Sequence, residues 1–365
     1  MATENLKGPA LTVWAGLDVG KEHFVAALCP ERTPGQSPPA PRELPTAEFA
    51  RSAAGVRAWL KWVRQQRPKV APGAASVGVR IVMEATGNYS RELAEWLGQL
   101  APEWPAAISE PRRVAQYLQG VGLRGKTDPT DACGLARYGA ECWPPPYVAL
   151  PPVYAELRAL TRERQSVVEA QVAGANRAAT TGGAGSCRAV ARLQRQRCAY
   201  LARQVAKLEG LLREHVQRHP ELRQTVAHLT SIPGVGFLTA VVFLAEAGWL
   251  LPHFPTVRQF VAWCGLDPVP YDSGKSVHGK AHLSKHGSAH LRRSLYLAAL
   301  ALTRKPDCAL GSTYARLVRA GKPGLVALGA VMRKLAVLMR ALLKHDADYC
   351  ETIPVAAQEN SAMTT

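Results

Sequence analysis

Partway along this chain the hydrophobic period changes, and that change constrains the fold more than any other feature. From Leu11 to about Ala140, short apolar runs alternate with stretches of helical period. After Trp143-Pro144-Pro145-Pro146 the short runs stop, and from residue 153 the chain is rich in Arg, Gln, Glu, Leu, Val and Ala, with no proline until Pro220. Alternating short and helical runs specify an α/β layer structure, and a long proline-free helical pattern specifies packed helices. The expected fold class is therefore α/β followed by all-α.

In the first region, residues 11–18 read as a buried strand and 23–28 as its hairpin partner across Val19-Gly20-Lys21-Glu22. The proline-rich stretch 30–45 and the segment 68–76 read as loops, flanking a strand at 46–49 and a helix at 53–66. A strand from Val77 to Met83 ends at Glu84, followed by a helix at 89–100, a strand at 105–109 and a helix at 111–119. A further helix starts at Asp128. Residues 153–225 read as a long antiparallel helical pair, broken at Thr180-Thr181-Gly182-Gly183-Ala184-Gly185. Such an arm serves oligomer contacts or is a plain linker, and the sequence leaves both open. Helices are expected at 237–247, 256–263, 288–303, 311–320 and 324–344, with a loop at 265–287. The organisation is thus 11–150, an arm at 151–225, a C-terminal region at 226–345 and an unstructured tail at 346–365.

The formal net charge is +17 over 365 residues, which favours a polyanionic partner. From Lys275 to Lys344 there are fourteen Lys or Arg against one acid, Asp307. One sign in that excess makes a phosphate-binding surface whose affinity is salt-sensitive and blind to sequence. No apolar run approaches the length of a membrane span, so no membrane partner is expected. The eight cysteines form no CxxC pair and read as reduced thiols, which points to the cytoplasm.

Four acids lie where phosphodiester chemistry would need them: Asp18 and Glu84 at strand ends, Asp128 and Asp131 three apart on one helical face. Hard divalent cations take carboxylate oxygens, and a metal pair can flank a scissile phosphate. Each acid also has a plain reading. Asp128 before Pro129 has the form of an N-cap, and Asp131 suits the helix dipole. Far downstream, Ser273 sits in Tyr271-Asp272-Ser273-Gly274 as a candidate nucleophile, with Ser276 and Ser284 as rivals in the same basic loop. Pro233-Gly234-Val235-Gly236 has the form of a phosphate-binding turn at a helix N-terminus, or of a plain glycine turn. His278, His282, His286 and His290 recur every four residues, but Gly279 and Gly287 argue against one helix carrying them all, so phosphate or RNA contacts are simpler than a metal site.

Three short blocks resemble the IS110-family transposases: Gly16-Leu17-Asp18-Val19-Gly20-Lys21, Met83-Glu84-Ala85-Thr86-Gly87 and Lys126-Thr127-Asp128-Pro129-Thr130-Asp131-Ala132. Downstream, Ser231-Ile232-Pro233-Gly234-Val235-Gly236, Phe260-Val261-Ala262-Trp263-Cys264-Gly265-Leu266, Tyr271-Asp272-Ser273-Gly274, Ser284-Lys285-His286-Gly287 and Leu291-Arg292-Arg293 follow in the order of that family. The resemblance implies a RuvC-like, ribonuclease H-type domain over 11–150, a coiled-coil arm and a helical serine-bearing domain. It implies that Asp18, Glu84, Asp128 and Asp131 bind Mg²⁺ or Mn²⁺ and that Ser273 attacks DNA to form a covalent phosphoserine. It further implies double-stranded donor and target DNA, a non-coding guide RNA encoded by the element, and a homodimer or homotetramer. Tyr271, Gly274, Lys275, Lys280, Lys285, Arg292, Arg293, Gly234 and Gly236 are the expected nucleic-acid contacts. Two rival functions remain: a junction nuclease that uses water, with Ser273 structural, and a nucleic-acid-binding relic without activity.

Overall fold

The computed structural model describes residues 11–31, 39–40, 43–72, 77–123, 127–180, 187–273 and 277–350. The chain divides into two compact units between Ala149 and Leu150.

The first unit is built on a five-stranded sheet in the order β3-β2-β1-β4-β5. Its strands are β1 (Leu11–Val19), β2 (His23–Pro30), β3 (Thr46–Ala50), β4 (Val77–Glu84) and β5 (Ala106–Ser109). β2 is antiparallel to β1 and β3, whereas β1, β4 and β5 are mutually parallel. This order and these directions make a RuvC-like, ribonuclease H-type sheet. The parallel strands all finish at one pole. At the opposite pole β2 runs out at Pro30, Glu31 donates its N–H to the Thr12 carbonyl, and β4 begins at Val77.

The period-two alternation of β1 and β4 decides what covers each face. Val13, Ala15, Leu17, Ile81 and Met83 pack under α1 (Ala53–Val70) and α2 (Tyr89–Leu100). Trp59 of α1 is fully buried there, edge-on to Phe24 and Trp104. Trp14 and Val82 point to the other face, under α3 (Pro111–Gly120) and α4 (Asp128–Cys142). Helix α1 continues past the expected end at residue 66 to Val70, with Pro68 in its last turn. The extra turn brings Val70 and Ala71 onto the core.

The second unit contains α5 (Pro152–Thr180), α6 (Arg188–Arg218), α7 (Pro220–Thr230), α8 (Phe237–Ala247), α9 (Val257–Trp263), α10 (Ala289–Leu302), α11 (Ala309–Arg319) and α12 (Gly324–His345). The expected hinge at 180–185 lies outside the described residues apart from Thr180. The sequence separates an arm at 151–225 from the region that follows, but Leu157 of α5 and Leu212 and Val216 of α6 share one core with α7–α12. A buried ion pair reinforces the join. Glu246 of α8, with 1% of its side chain exposed, accepts from Arg162 at 2.9 and 3.1 Å and from Arg158 at 3.2 Å. Burial pushes its carboxyl up, but the Arg162 hydrogen bond and both guanidinium charges outweigh that and hold it at about 2.

Two expectations need correction here. The loop expected at 265–287 contains an antiparallel hairpin, β6 (Pro268–Ser273) and β7 (Val277–Leu283). The tail expected from 346 is docked as far as Tyr349. His228 of α7 binds Asp348 at 2.8 Å through Nδ1 and Asp346 at 3.1 Å through Nε2, and Tyr349 donates its N–H to Ser231 Oγ at 2.7 Å. Both carboxylates accept from one imidazole, a pattern that the tail's composition does not announce. Residues 351–365 lie outside the described residues. No helix among the described residues is long and apolar enough to cross a membrane.

Candidate active site

Leu17 pairs with Met83 across the parallel β1–β4 ladder, so the next residues, Asp18 and Glu84, stand side by side at the strand ends. Both belong to the face that carries Trp14 and Val82, the face under α4. The C-terminal end of parallel strands is where open α/β sheets place ligands. Helix α4 brings Asp128 and Asp131 in its first turn.

Glycines set the closeness of that approach. A Cβ on Gly16 would lie 2.2 Å from the Ala132 carbonyl oxygen and 2.2 Å from the Ala136 nitrogen. On the helix side, a Cβ on Gly139 would lie 2.4 Å from the Trp14 ring and 2.8 Å from Val82. Backbone therefore meets backbone, and no larger residue fits between β1 and α4. The Gly16-Leu17-Asp18 block couples this contact to the acid two residues on.

Asp128 does not cap the helix, contrary to one reading of the sequence. Thr127 is the N-cap, with extended backbone angles, and its Oγ1 accepts from the Thr130 N–H at 3.4 Å. Because Thr127 serves the helix end, the Asp128 carboxylate is released for other partners. One is His23, absent from the sequence-based candidates. Its Nε2 stands 3.8 Å from Asp128 Oδ2 and its Nδ1 stands 3.9 Å from Glu48. The hairpin turn that returns β2 beside Asp18 places His23 there. A lone histidine after a Lys-Glu turn carries no sequence signal for it.

The acids interact. The Asp18 carboxyl is pushed up to about 6, first by its burial and then by the negative charges of Asp131, Asp128 and Glu84, against a small opposing effect of the Val19 N–H. The four are thus within electrostatic reach of one another. Among the described residues, no group of three or more His, Cys, Asp or Glu is spaced to grip an ion as it stands. The donor set still fits a hard divalent cation, because only carboxylate oxygens are offered and their mutual repulsion is what a cation would relieve.

The remaining candidates lie in the second unit. Ser273 is the last residue of β6, paired with Val277, and Tyr271 pairs with Gly279. Lys280 belongs to β7. Gly274, Lys275 and the rival Ser276 fall outside the described residues. The other rival, Ser284, donates its hydroxyl to the Asp267 carboxylate and so has a structural partner. Lys285 is exposed, with φ +57°. Arg292 donates through Nη1 to the backbone carbonyls of Gly287 at 2.5 Å and Cys264 at 3.5 Å, which braces the loop. Arg293 is about half exposed and pairs with Glu169 at 2.9 Å. Gly234, at φ +83°, packs against Leu302, and Gly236 is the exposed N-cap of α8. The four histidines are divided between β7 (His278, His282), the turn after it (His286) and α10 (His290).

A family model described as the transposase IS116/IS110/IS902 family matches residues 226–315, and a DEDD transposase model for IS110 elements matches residues 15–181. A pilin gene-inverting protein of Moraxella bovis is 23% identical over 340 residues, covering 93% of this chain and 98% of that protein. Its counterpart in Moraxella lacunata is 25% identical, covering 75% and 83%. An uncharacterized 43.6 kDa protein of insertion element IS110 from Streptomyces coelicolor is 33% identical over 130 residues, covering 36% of this chain and 31% of that one. Among solved structures, Thermus thermophilus RuvC matches 37% of this chain at 15% identity with a TM-score of 0.26, and the fold assignment rests on strand order instead.

Proposed function

The chain belongs to the IS110 family of transposases, which are enzymes acting on DNA, and from that premise we propose that it cuts and rejoins DNA strands through Ser273 with the help of a divalent cation held by Asp18, Glu84, Asp128 and Asp131. The observation that carries the reading is the close contact of Gly16 with Ala132 and Ala136, which sets the first turn of α4, with Asp128 and Asp131, against the strand that ends at Asp18 beside Glu84. Mg²⁺ or Mn²⁺ suits the oxygen-only donor set. When bound, the cation would polarise a phosphoryl oxygen and offset the charge that builds in the transition state.

The chain's own residues have distinct tasks. Ser273 Oγ forms a bond to phosphorus as the bond to one sugar oxygen breaks, and the serine proton leaves for solvent or a neighbouring base. The released sugar oxygen takes up a proton. Attack by a hydroxyl of a second strand then reverses the step, restores a phosphodiester and frees the serine. No external energy source is needed, because one phosphate ester is exchanged for another. Relatives named as gene-inverting proteins suit such a cut-and-rejoin chemistry. His23 orients Asp128.

The basic surface, including Lys280, Lys285 and Arg293, grips phosphate, while sequence is read by base pairing with an element-encoded non-coding RNA. Tyr271, Gly274, Lys275, Gly234 and Gly236 complete the nucleic-acid contacts. Exchange between two duplexes needs more than one serine, so the active form is a homodimer or homotetramer.

The test is a Ser273→Ala variant incubated with element-end DNA and Mg²⁺. Loss of both cleavage and the protein–DNA adduct is expected. Cleavage that survives without an adduct would instead make this a nuclease that uses water.

A further inference from the structure

Among the described residues of the second unit, a partly open cavity of about 160 Å³ lies between α5, α6, α8 and α10. Its lining combines apolar side chains, Leu212, Leu238, Val242 and Leu297, with basic ones, Arg162, Arg164 and Arg293. No acid lines it. The carboxylates that pair with these arginines are not part of the lining: Glu246 is fully buried, Glu209 is partly buried and Glu169 is exposed. Arg162 uses Nε and Nη2 on Glu246, and Arg164 uses Nε and Nη2 on Glu209. Each therefore keeps Nη1 for another acceptor, and Arg293 binds Glu169 through Nη1 alone. Ser294 and Thr239 add hydroxyls to the lining.

A ligand for this space has a flat or compact apolar part, an anionic part and a few hydrogen-bonding edges. The volume exceeds the room one water needs by about tenfold, yet falls short of the roughly 300 Å³ at which small-molecule pockets begin. It suits one unit of a longer ligand.

We propose that the cavity receives a single unpaired nucleotide of a nucleic-acid strand, with its base against Leu238, Val242 and Leu297 and its phosphate on Arg162, Arg164 and Arg293. The proposal rests on the nucleic-acid-processing function above and adds a strand-capture point to it. Unpaired bases are recognised by being splayed out against apolar side chains while arginines hold the backbone. DNA and RNA share this chemistry.

The experiment uses the full chain and short single-stranded DNA and RNA, each intact or with one abasic position, together with duplex DNA and inorganic phosphate. Ser294→Trp, which fills the cavity, should weaken binding of the intact strand about tenfold. It should leave duplex binding and the salt dependence unchanged. Arg164→Gln should lower the salt slope by about one phosphate contact. Whichever strand type loses affinity is the source of the nucleotide. Wild-type protein carrying one 5-iodouracil strand should crosslink within Leu238–Val242 or Ser294–Leu297, a readout that needs no variant to fold. Crosslinks found only elsewhere, or both variants binding as wild type with unchanged melting, would overturn the cavity assignment. Equal displacement by inorganic phosphate would overturn the base-docking part. If the wild-type chain binds no strand and no duplex, the proposed function itself fails, a different result from the others.

Discussion

Gly16 of β1 and Ala136 of α4 meet backbone to backbone, so that a single methyl on the glycine would stand 2.2 Å from the Ala136 nitrogen. Gly16→Ala must push the helix away from the strand. The expected loss is about 1–3 kcal/mol of stability from overpacking. DNA cleavage should fall much further than melting temperature, since Asp128 and Asp131 move with the helix. A variant that melts lower but cleaves at wild-type rate would show that helix placement does not govern the chemistry.

Asp18 makes the cation-free protein sensitive to pH. Its folded carboxyl titrates near 6 and its unfolded one near 3.8, so the stabilising form is the protonated one. That contribution is complete below about pH 4 and is lost as pH rises through 6. Asp18→Asn in chelator should raise stability at neutral pH by about 1 kcal/mol, a figure reduced for solvent screening of a partly exposed group. It should flatten the slope between pH 4 and 6 and remove the gain in melting temperature that Mg²⁺ gives the wild type. Denaturant titration at several pH values measures all three.

Glu246 behaves in the opposite sense. Its carboxyl is held at about 2 by Arg162 and Arg158, so its contribution is present above about pH 4.5 and lost as pH falls through 2. Glu246→Gln leaves two arginines facing a buried neutral amide, and should cost about 3–5 kcal/mol. Replacing the whole cluster with apolar residues should cost less than the single change.

The docked segment after α12 should loosen in alkali. The His228 imidazole is raised above its ordinary value, chiefly by its hydrogen bond to Asp348 and also by Asp346, against a smaller opposing effect of burial. The tie is complete below about pH 6.5 and weakens as pH rises through the raised value. Hydrogen exchange at the amides of Asp346–Tyr349 should accelerate over that window. His228→Asn should show fast exchange at every pH, and an unchanged rate would contradict the role of the two carboxylates.

Thr127→Val removes the α4 cap and should cost about 1 kcal/mol, with a larger effect on cleavage than the same change at a threonine that caps no helix. Thermal melting and a cleavage assay, run side by side, compare the two.

The sheet was legible because period-two runs such as Val77–Met83 and the turn at Val19–Glu22 write their geometry into neighbouring residues. The acids were legible one by one, from two strand ends and a three-residue helical spacing, and the family resemblance joined them into a set. Other features are set by contacts distant in sequence. Thr127 and Asp128 are both competent caps, and only the helix start chooses between them. The β6–β7 hairpin carries Pro268, Pro270, Gly279 and few apolar residues, so it shows no alternation. His23 and Glu246 owe their environments to Asp128 and to Arg158 and Arg162, which lie about a hundred residues away or nearly so. The proposed nucleotide cavity needs four helices to exist at all.

The strand directions have a practical consequence. Glu31, just after β2, and Val77, the first residue of β4, both lie at the end of the first unit's sheet opposite Asp18 and Glu84. A small label attached at Glu31 or Val77 is therefore separated from the carboxylates of the first unit by the length of a strand.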